Sequence, residues 1–186
     1  MDIHSKKVEL FNEYCFKLLD MSSGATYAEN MTSKQWNNAK KCFASTAERD
    51  TVIGFLDTTI MGSGKNGYLF TDEKVYYLES FEKPKKLWYD EIQSDTVTDQ
   101  DKKKDCSRTL RIELKDGETI RWNSVLLNKT PLCAFFQKLI ELDSLPQGEA
   151  ASVSYEENRR PGAEAAGIGI GNYGNVNKSY EEEKFH

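Results

Sequence analysis

The segment Gly62-Ser-Gly64-Lys65 is the part of this sequence whose residue types come closest to a phosphate-binding loop. Such a loop requires a glycine five residues before Gly64 and a serine or threonine after the lysine. Here those positions hold Thr59 and Asn66, and a predicted strand follows where a helix should begin. We therefore expect a hairpin connection that needs glycine dihedrals, from which Lys65 remains able to contact an anion.

A short basic cluster in segment 83–88 stands beside a tryptophan, and it is the second candidate for anion binding. Another lysine run, 102–104, has aspartates on both sides, and this pattern is typical of a solvated charged loop. The residues predicted to bind a ligand are Lys65, Lys83, Lys85, Lys86 and Trp88.

Residue types that catalyse reactions are poorly placed in this chain. The two histidines, His4 and His186, lie near opposite ends, so serine, threonine and cysteine nucleophiles lack a base. The spacing of Gly167, Gly169 and Gly171 mimics a dinucleotide fingerprint, but no strand precedes it. We expect no catalytic residue and no cofactor.

The four cysteines are far apart and form no closely spaced pair, so we expect neither a zinc site nor a disulfide framework. Three of them, Cys15, Cys42 and Cys133, fall on apolar helix faces, where small buried side chains are the expected interpretation.

The formal net charge is −5, and so acidic a chain is a poor candidate for general nucleic-acid binding. No stretch reaches the length of apolar sequence that crosses a bilayer, and the N-terminal segment has no secretory-type apolar core. We therefore expect a cytoplasmic protein without a transmembrane segment.

Two amphipathic helices are predicted at the N-terminus. Apolar residues recur at spacings of three and four across 4–21, and Thr32-Ser-Lys-Gln35 fits a capping box that begins a second helix. Each helix has an apolar face that needs a partner, and we expect both to pack outside the following sheet.

From Asp50 onward the sequence changes to short runs typical of strands. The most secure hairpin is centred on Asp116-Gly117, a dipeptide that favours tight turns, between segments that alternate apolar and polar residues. The predicted strands are 51–57, two within 67–79, 86–92, one near 94–98, 110–114 and 118–123.

The helix predicted for 130–144 has a wide apolar face, so we expect it to plug one end of a curled sheet. Residues 147–186 are rich in Gly, Glu, Asn and Ala and offer few apolar anchors. The predicted organisation is a helical extension over 1–48, a β-rich domain over 49–146, and a flexible tail or linker over 147–186. An alternative for the tail is a clasp that adds to a sheet edge and produces a homodimer.

The run Gly67-Tyr-Leu-Phe-Thr-Asp-Glu-Lys-Val-Tyr-Tyr77, which follows a glycine connection, resembles the early hairpin of bacterial pleckstrin-homology-like (PH-like) domains. Lys86-Leu-Trp-Tyr-Asp-Glu-Ile92 resembles their next strand, and the likeness covers about residues 50–144. Segment 171–178 is also similar to a junction in longer bacterial proteins of unknown function. The resemblance implies an α+β fold, a curled antiparallel sheet or barrel capped by a C-terminal helix.

We therefore expect a non-catalytic binding module that recognises a protein partner or acts as a scaffold within a larger assembly. The alternative is binding of an anionic lipid headgroup or nucleotide through Lys65 and the cluster at 83–86. An enzyme would need catalytic groups from a partner or a further domain.

Overall fold

The computed structural model of the protein describes residues 2–19 and 25–144. Its three α-helices are α1 (Ile3–Leu18), α2 (Ser33–Cys42) and α3 (Lys129–Ser144). Its strands are β1 (Ala25–Tyr27), β2 (Val52–Asp57), β3 (Gly67–Thr71), β4 (Lys74–Leu78), β5 (Lys85–Trp88), β6 (Ile92–Thr98), β7 (Thr109–Leu114) and β8 (Thr119–Trp122). The predicted α+β class, with a final helix after a run of antiparallel strands, is confirmed.

The strands form two antiparallel sheets, one in the order β1-β2-β3-β4-β5 and one in the order β6-β7-β8. No ladder joins the two sheets within the described residues. Of the two expected forms, a curled sheet or a barrel, the barrel is therefore wrong. The chain turns from one sheet to the other at Tyr89, which is buried and begins a 3-10 turn. The predicted continuous strand 86–92 is therefore two strands separated by this corner.

One face of helix α1 is part of the main core, which corrects the prediction that both N-terminal helices pack outside the sheet. Phe11 and Leu18 have no exposed surface, and they share a cluster with residues of both sheets and of α3. The Phe11 ring lies over the backbone of Gly54 in β2, at a place where any Cβ would meet the ring. Because Gly54 of β2 has no side chain, α1 can pack closely against this strand.

Helix α3 supplies the aromatic centre of this core. Phe136 is fully buried, and its ring centroid lies 5.5 Å from that of Trp122 on β8 and 6.3 Å from that of Phe70 on β3. The helix thus contacts both sheets through one side chain, in agreement with the wide apolar face seen in the sequence.

Helix α2 covers a smaller second cluster on the other face of the first sheet. The predicted capping box is present, because the Thr32 side chain accepts from the Gln35 N–H and the Gln35 side chain reaches back to the Thr32 N–H. Ala39 and Phe43 then pack with residues such as Leu69 and Tyr76. Both strands β3 and β4 are therefore buried on two faces, which explains their nearly continuous apolar character.

Lys129, at the start of α3, is a fully buried cation. Its ammonium group donates to three carbonyl oxygens, those of Cys106 at 2.9 Å, Ser124 at 2.6 Å and Leu127 at 2.7 Å. Burial lowers the pKa of this amine from its ordinary value. The three hydrogen bonds offset the loss of hydration and tie two turns to the helix.

Several sequence predictions fall partly or wholly outside the described residues. These are the tail over 147–186, with its clasp alternative, and the end of the first helix beyond Leu19. The side chain of Cys15 is also outside the description. The other two cysteines that were expected to be buried on helix faces, Cys42 and Cys133, are only partly buried, whereas Cys106 is buried.

The buried hydroxyl of Tyr89 predicts an alkaline limit to stability. It donates to the Thr71 carbonyl oxygen at 3.0 Å, and burial raises its pKa well above 10.0. The Tyr89 hydroxyl ionises at a lower pH in the unfolded chain than in the folded protein. The stability that is present below pH 10 is therefore lost as the pH rises above 10. Between about pH 10 and about pH 11, the free energy of unfolding of the Tyr89→Phe variant should fall by about 1 kcal/mol less than that of the wild type.

Urea unfolding of both proteins across this range measures the difference. Lys129 and Tyr68 are common to the two proteins, so their titrations cancel in the comparison. Equal slopes of stability against pH would show that Tyr89 ionises as easily in the folded protein as in the unfolded chain.

Candidate functional site

The loop between β2 and β3, residues 58–66, is held in a fixed shape by the buried carboxylate of Asp57. One carboxylate oxygen accepts from the Thr59 N–H at 2.9 Å, and the other accepts from the Gly64 N–H at 2.8 Å. Gly62 and Gly64 have φ angles of 59° and 73°, as expected for a connection that needs glycine dihedrals. The Asp57 carboxylate thus accepts hydrogen bonds from two backbone N–H groups of the loop.

Three large apolar side chains project from this end of the first sheet. Ile60 and Phe81 are fully exposed and Met61 is 87% exposed. Ile60 and Met61 lie in the 58–66 loop, and Phe81 lies in the β4–β5 loop, residues 79–84. We call the two loops together the loop pair.

The sheet register places the two loops side by side. Gly67 pairs with both Asp57 and Leu78, so both connections leave the same end of the sheet. A hydrogen bond of 3.4 Å from the Asn66 amide to the Ser80 hydroxyl joins their bases. Phe81 has a φ of 68°, a conformation that aromatic residues rarely adopt, so a strained backbone holds this ring in solvent.

The structure distributes the sequence-predicted binding residues over three places. Lys65 and Lys83 lie on the two loops of the loop pair, whereas Lys85, Lys86 and Trp88 lie on β5. Lys85 pairs in register with the core residue Tyr77, and its ammonium group bonds Glu82 at 2.5 Å. Strand alternation places Lys86 and Trp88 on the opposite face, so the five residues do not form one site.

Trp88 contacts Lys74, which is not among the predicted binding residues. The Lys74 ammonium lies 3.3 Å from the centre of the Trp88 ring, and the Lys86 ammonium lies 5.5 Å from it. Cation–π contacts of this kind stabilise a strand pair by about 0.5–1 kcal/mol at exposed positions. Trp88 therefore acts within the sheet.

A cleft lies between β5 and β8, where the two sheets approach without pairing. Its walls include the consecutive residues 119–122 of β8 and both Lys85 and Lys86 of β5. Consecutive strand residues point to opposite faces, so a cavity that touches all of them runs along the strand edges. We call this the edge cleft.

No group of three or more His, Cys, Asp and Glu side chains in residues 2–19 and 25–144 is arranged to hold a metal ion. In the same part of the chain, burial raises the pKa values of Tyr68 and Tyr89 and lowers that of Lys129. These side chains are hydrogen bonded to other residues of the fold. The two surfaces differ in chemistry: the loop pair exposes large apolar side chains, and the edge cleft contains Lys85, Lys86 and Arg121.

The sequence contains a signal for the loop pair, although Ile60, Met61 and Phe81 are not among the predicted binding residues. Ile60-Met61 is an apolar pair inside a connection otherwise composed of small and polar residues, where buried partners are unavailable. Phe81 lies between Ser80 and Glu82 in a similar setting. Arg121, by contrast, lies in the wall of the edge cleft. No sequence pattern indicates this position, because it results from the approach of β8 to β5.

Within the part of the chain that is described, no helix has the length and apolar character needed to span a bilayer. No protein-family model, no curated protein and no solved structure matches this chain.

Proposed function

We propose that the protein is a non-catalytic PH-like binding module that recognises a protein partner through the loop pair. The PH-like part of the proposal is supported by the order of elements: four antiparallel strands β2–β5, three more strands β6–β8, and a closing helix. The binding part rests on the exposure of Ile60, Met61 and Phe81 at one end of a rigid sheet.

These side chains have the properties of interface anchors. Aromatic residues and methionine are enriched in protein interfaces, and apolar groups on a preorganised surface lose little entropy when they are covered. The Asp57 carboxylate fixes one loop before any partner arrives. The loop pair therefore meets the requirements for a recognition surface of modest size.

The second candidate function is attachment to an anionic surface, because Lys65 and Lys83 lie on the same loops as the apolar side chains. Each lysine near an acidic membrane contributes about 1 kcal/mol, so two lysines contribute about 2 kcal/mol. Lys85 adds little because it is paired with Glu82. The protein carries a net charge of −5, and protein recognition is accordingly the better supported function.

The double substitution Ile60→Ser and Phe81→Ser is expected to weaken partner binding about 100-fold, since two anchors are lost. It should leave the unfolding midpoint nearly unchanged, because neither side chain is packed in the fold. To identify the partner, the photoreactive residue benzoylphenylalanine replaces Phe81 and is cross-linked in the cells that produce the protein. The affinity of the captured partner is then measured with purified components.

The same photoreactive residue in place of Lys103, which is exposed in the 99–105 loop and lies outside both the loop pair and the edge cleft, is the matched control. Capture of one partner at both positions would contradict recognition by the loop pair. Vesicles containing acidic lipid test the second function directly. Salt-sensitive sedimentation that disappears in the Lys65→Glu, Lys83→Glu variant, without any protein cross-link, would replace the first function by the second.

A further inference from the structure

The strand edge beside α3 has backbone carbonyl groups that are already hydrogen bonded to side chains. The Cys133 thiol lies 3.7 Å from the Asp95 carbonyl oxygen, and the Gln100 side-chain amide donates to the Val97 carbonyl oxygen at 2.8 Å. Both carbonyls belong to β6 and face away from β7. These side chains therefore block strand addition at β6.

The edges of β5 and β8 present free backbone groups. Tyr89 donates its N–H to the Glu73 carbonyl oxygen, and antiparallel pairs alternate, so Lys86 of β5 directs its N–H and C=O away from β4. Leu114 donates to the Glu118 carbonyl oxygen, and by the same alternation Thr119 and Arg121 direct theirs away from β7.

Both free edges carry uncompensated positive charge. Arg121 lies directly opposite Arg111 in the β7–β8 register, and Arg111 is neutralised by Glu113 at 2.9 Å. Among the described residues no carboxylate forms an ion pair with Arg121 or with Lys86. The cleft also contains Glu82, which bonds Lys85, and Glu79, which accepts from the neutral Tyr68 hydroxyl and keeps its charge. With Lys85, Lys86 and Arg121 against these two carboxylates, the lining has a net charge of +1.

We infer that the edge cleft accepts an extended acidic peptide segment of a partner protein, which adds as a strand to β5 or β8. The backbone of the segment would bond the groups that Lys86 and Arg121 direct into the cleft, and its carboxylates would contact their side chains. This inference rests on the proposed function, protein recognition, and adds a second surface to the loop pair.

The probe is a fluorescein-labelled peptide that alternates glutamate and valine, titrated with the full chain and followed by fluorescence anisotropy. Saturable binding is expected, and Lys86→Glu and Arg121→Glu should each weaken it about tenfold. Lys103→Glu, the same charge change in the exposed 99–105 loop, should have no comparable effect. A peptide with every backbone nitrogen methylated should bind poorly, because strand addition requires N–H groups on the edge that pairs.

Absence of saturation up to about 1 mM probe would overturn the inference. So would an equal loss in Lys103→Glu, or full binding of the methylated peptide. A doubled mass without peptide binding would show that the edges pair with a second copy instead. The Ile60→Ser, Met61→Ser variant separates the two surfaces: it should retain peptide binding, and a loss there would assign the peptide to the loop pair.

Discussion

Replacing Phe136 with alanine is expected to lower the free energy of unfolding by about 3–5 kcal/mol. The ring is fully buried, and it lies within 6.3 Å of four other aromatic ring centres: Phe70, Tyr89, Trp122 and Phe135. These residues come from both sheets, the corner between them and α3. The cavity left by the ring would therefore remove contacts that join the two sheets, which no ladder connects within the described residues.

Equilibrium urea unfolding, followed by tryptophan fluorescence and circular dichroism, measures this loss. Phe16→Ala is the matched control, because Phe16 is 66% exposed on α1 and the same atoms are removed. Its effect should stay below about 1 kcal/mol. A similarly small effect for Phe136→Ala would show that α3 is peripheral to the fold.

Gly54→Ala is expected to destabilise the protein by about 3–5 kcal/mol, the range for removing a buried phenylalanine ring. An added Cβ would lie 2.1 Å from the nearest atom of the Phe11 ring, far inside any permitted contact distance. The φ angle of Gly54 is not in the left-handed region, so the cost arises from displacing Phe11 and with it α1.

A double-mutant cycle identifies this mechanism. In a Phe11→Ala background the ring is absent, and Gly54→Ala should then cost much less than it does in wild type. Additive losses would indicate that the glycine is needed for the strand itself. Gly117→Ala is a useful comparison: Gly117 has a φ of 88° and nothing within 4 Å of an added Cβ, so its effect reports backbone strain alone.

Local chemistry explains why parts of the fold could be predicted from the sequence. Asp116-Gly117 forms the expected turn between β7 and β8, with Gly117 at positive φ, and Leu110, Ile112 and Leu114 face the core as their alternation indicates. The capping box at Thr32 begins α2. In each case the residues that determine the structure are neighbours along the chain.

The failures involve residues that are distant along the chain. Segment 86–92 looks like one strand, and it breaks at Tyr89 because that side chain enters the core shared by the two sheets. Strand β1 has only three residues and pairs with β2, so its own sequence carries almost no signal. The entry of α1 into the core depends on Gly54 meeting Phe11, which no local pattern reveals.

The predicted binding residues also divide into positions that neighbouring residues determine and positions that depend on distant parts of the chain. Lys65 and Lys83 could be assigned to loops from turn residues, and alternation along β5 would have separated Lys85 from Lys86. The edge cleft could not be predicted, because it requires β8 of one sheet to face β5 of the other. The exposure of Phe81, in contrast, is indicated in the sequence by its polar neighbours Ser80 and Glu82.

The buried ammonium group of Lys129 has a consequence for local opening. Because one cation holds the carbonyl groups of Cys106, Ser124 and Leu127, neither turn can separate from α3 without leaving that charge short of partners. We therefore expect the turns at 105–107 and 124–127 to open together with the first turn of α3, so that their amide protons exchange with solvent at similar rates.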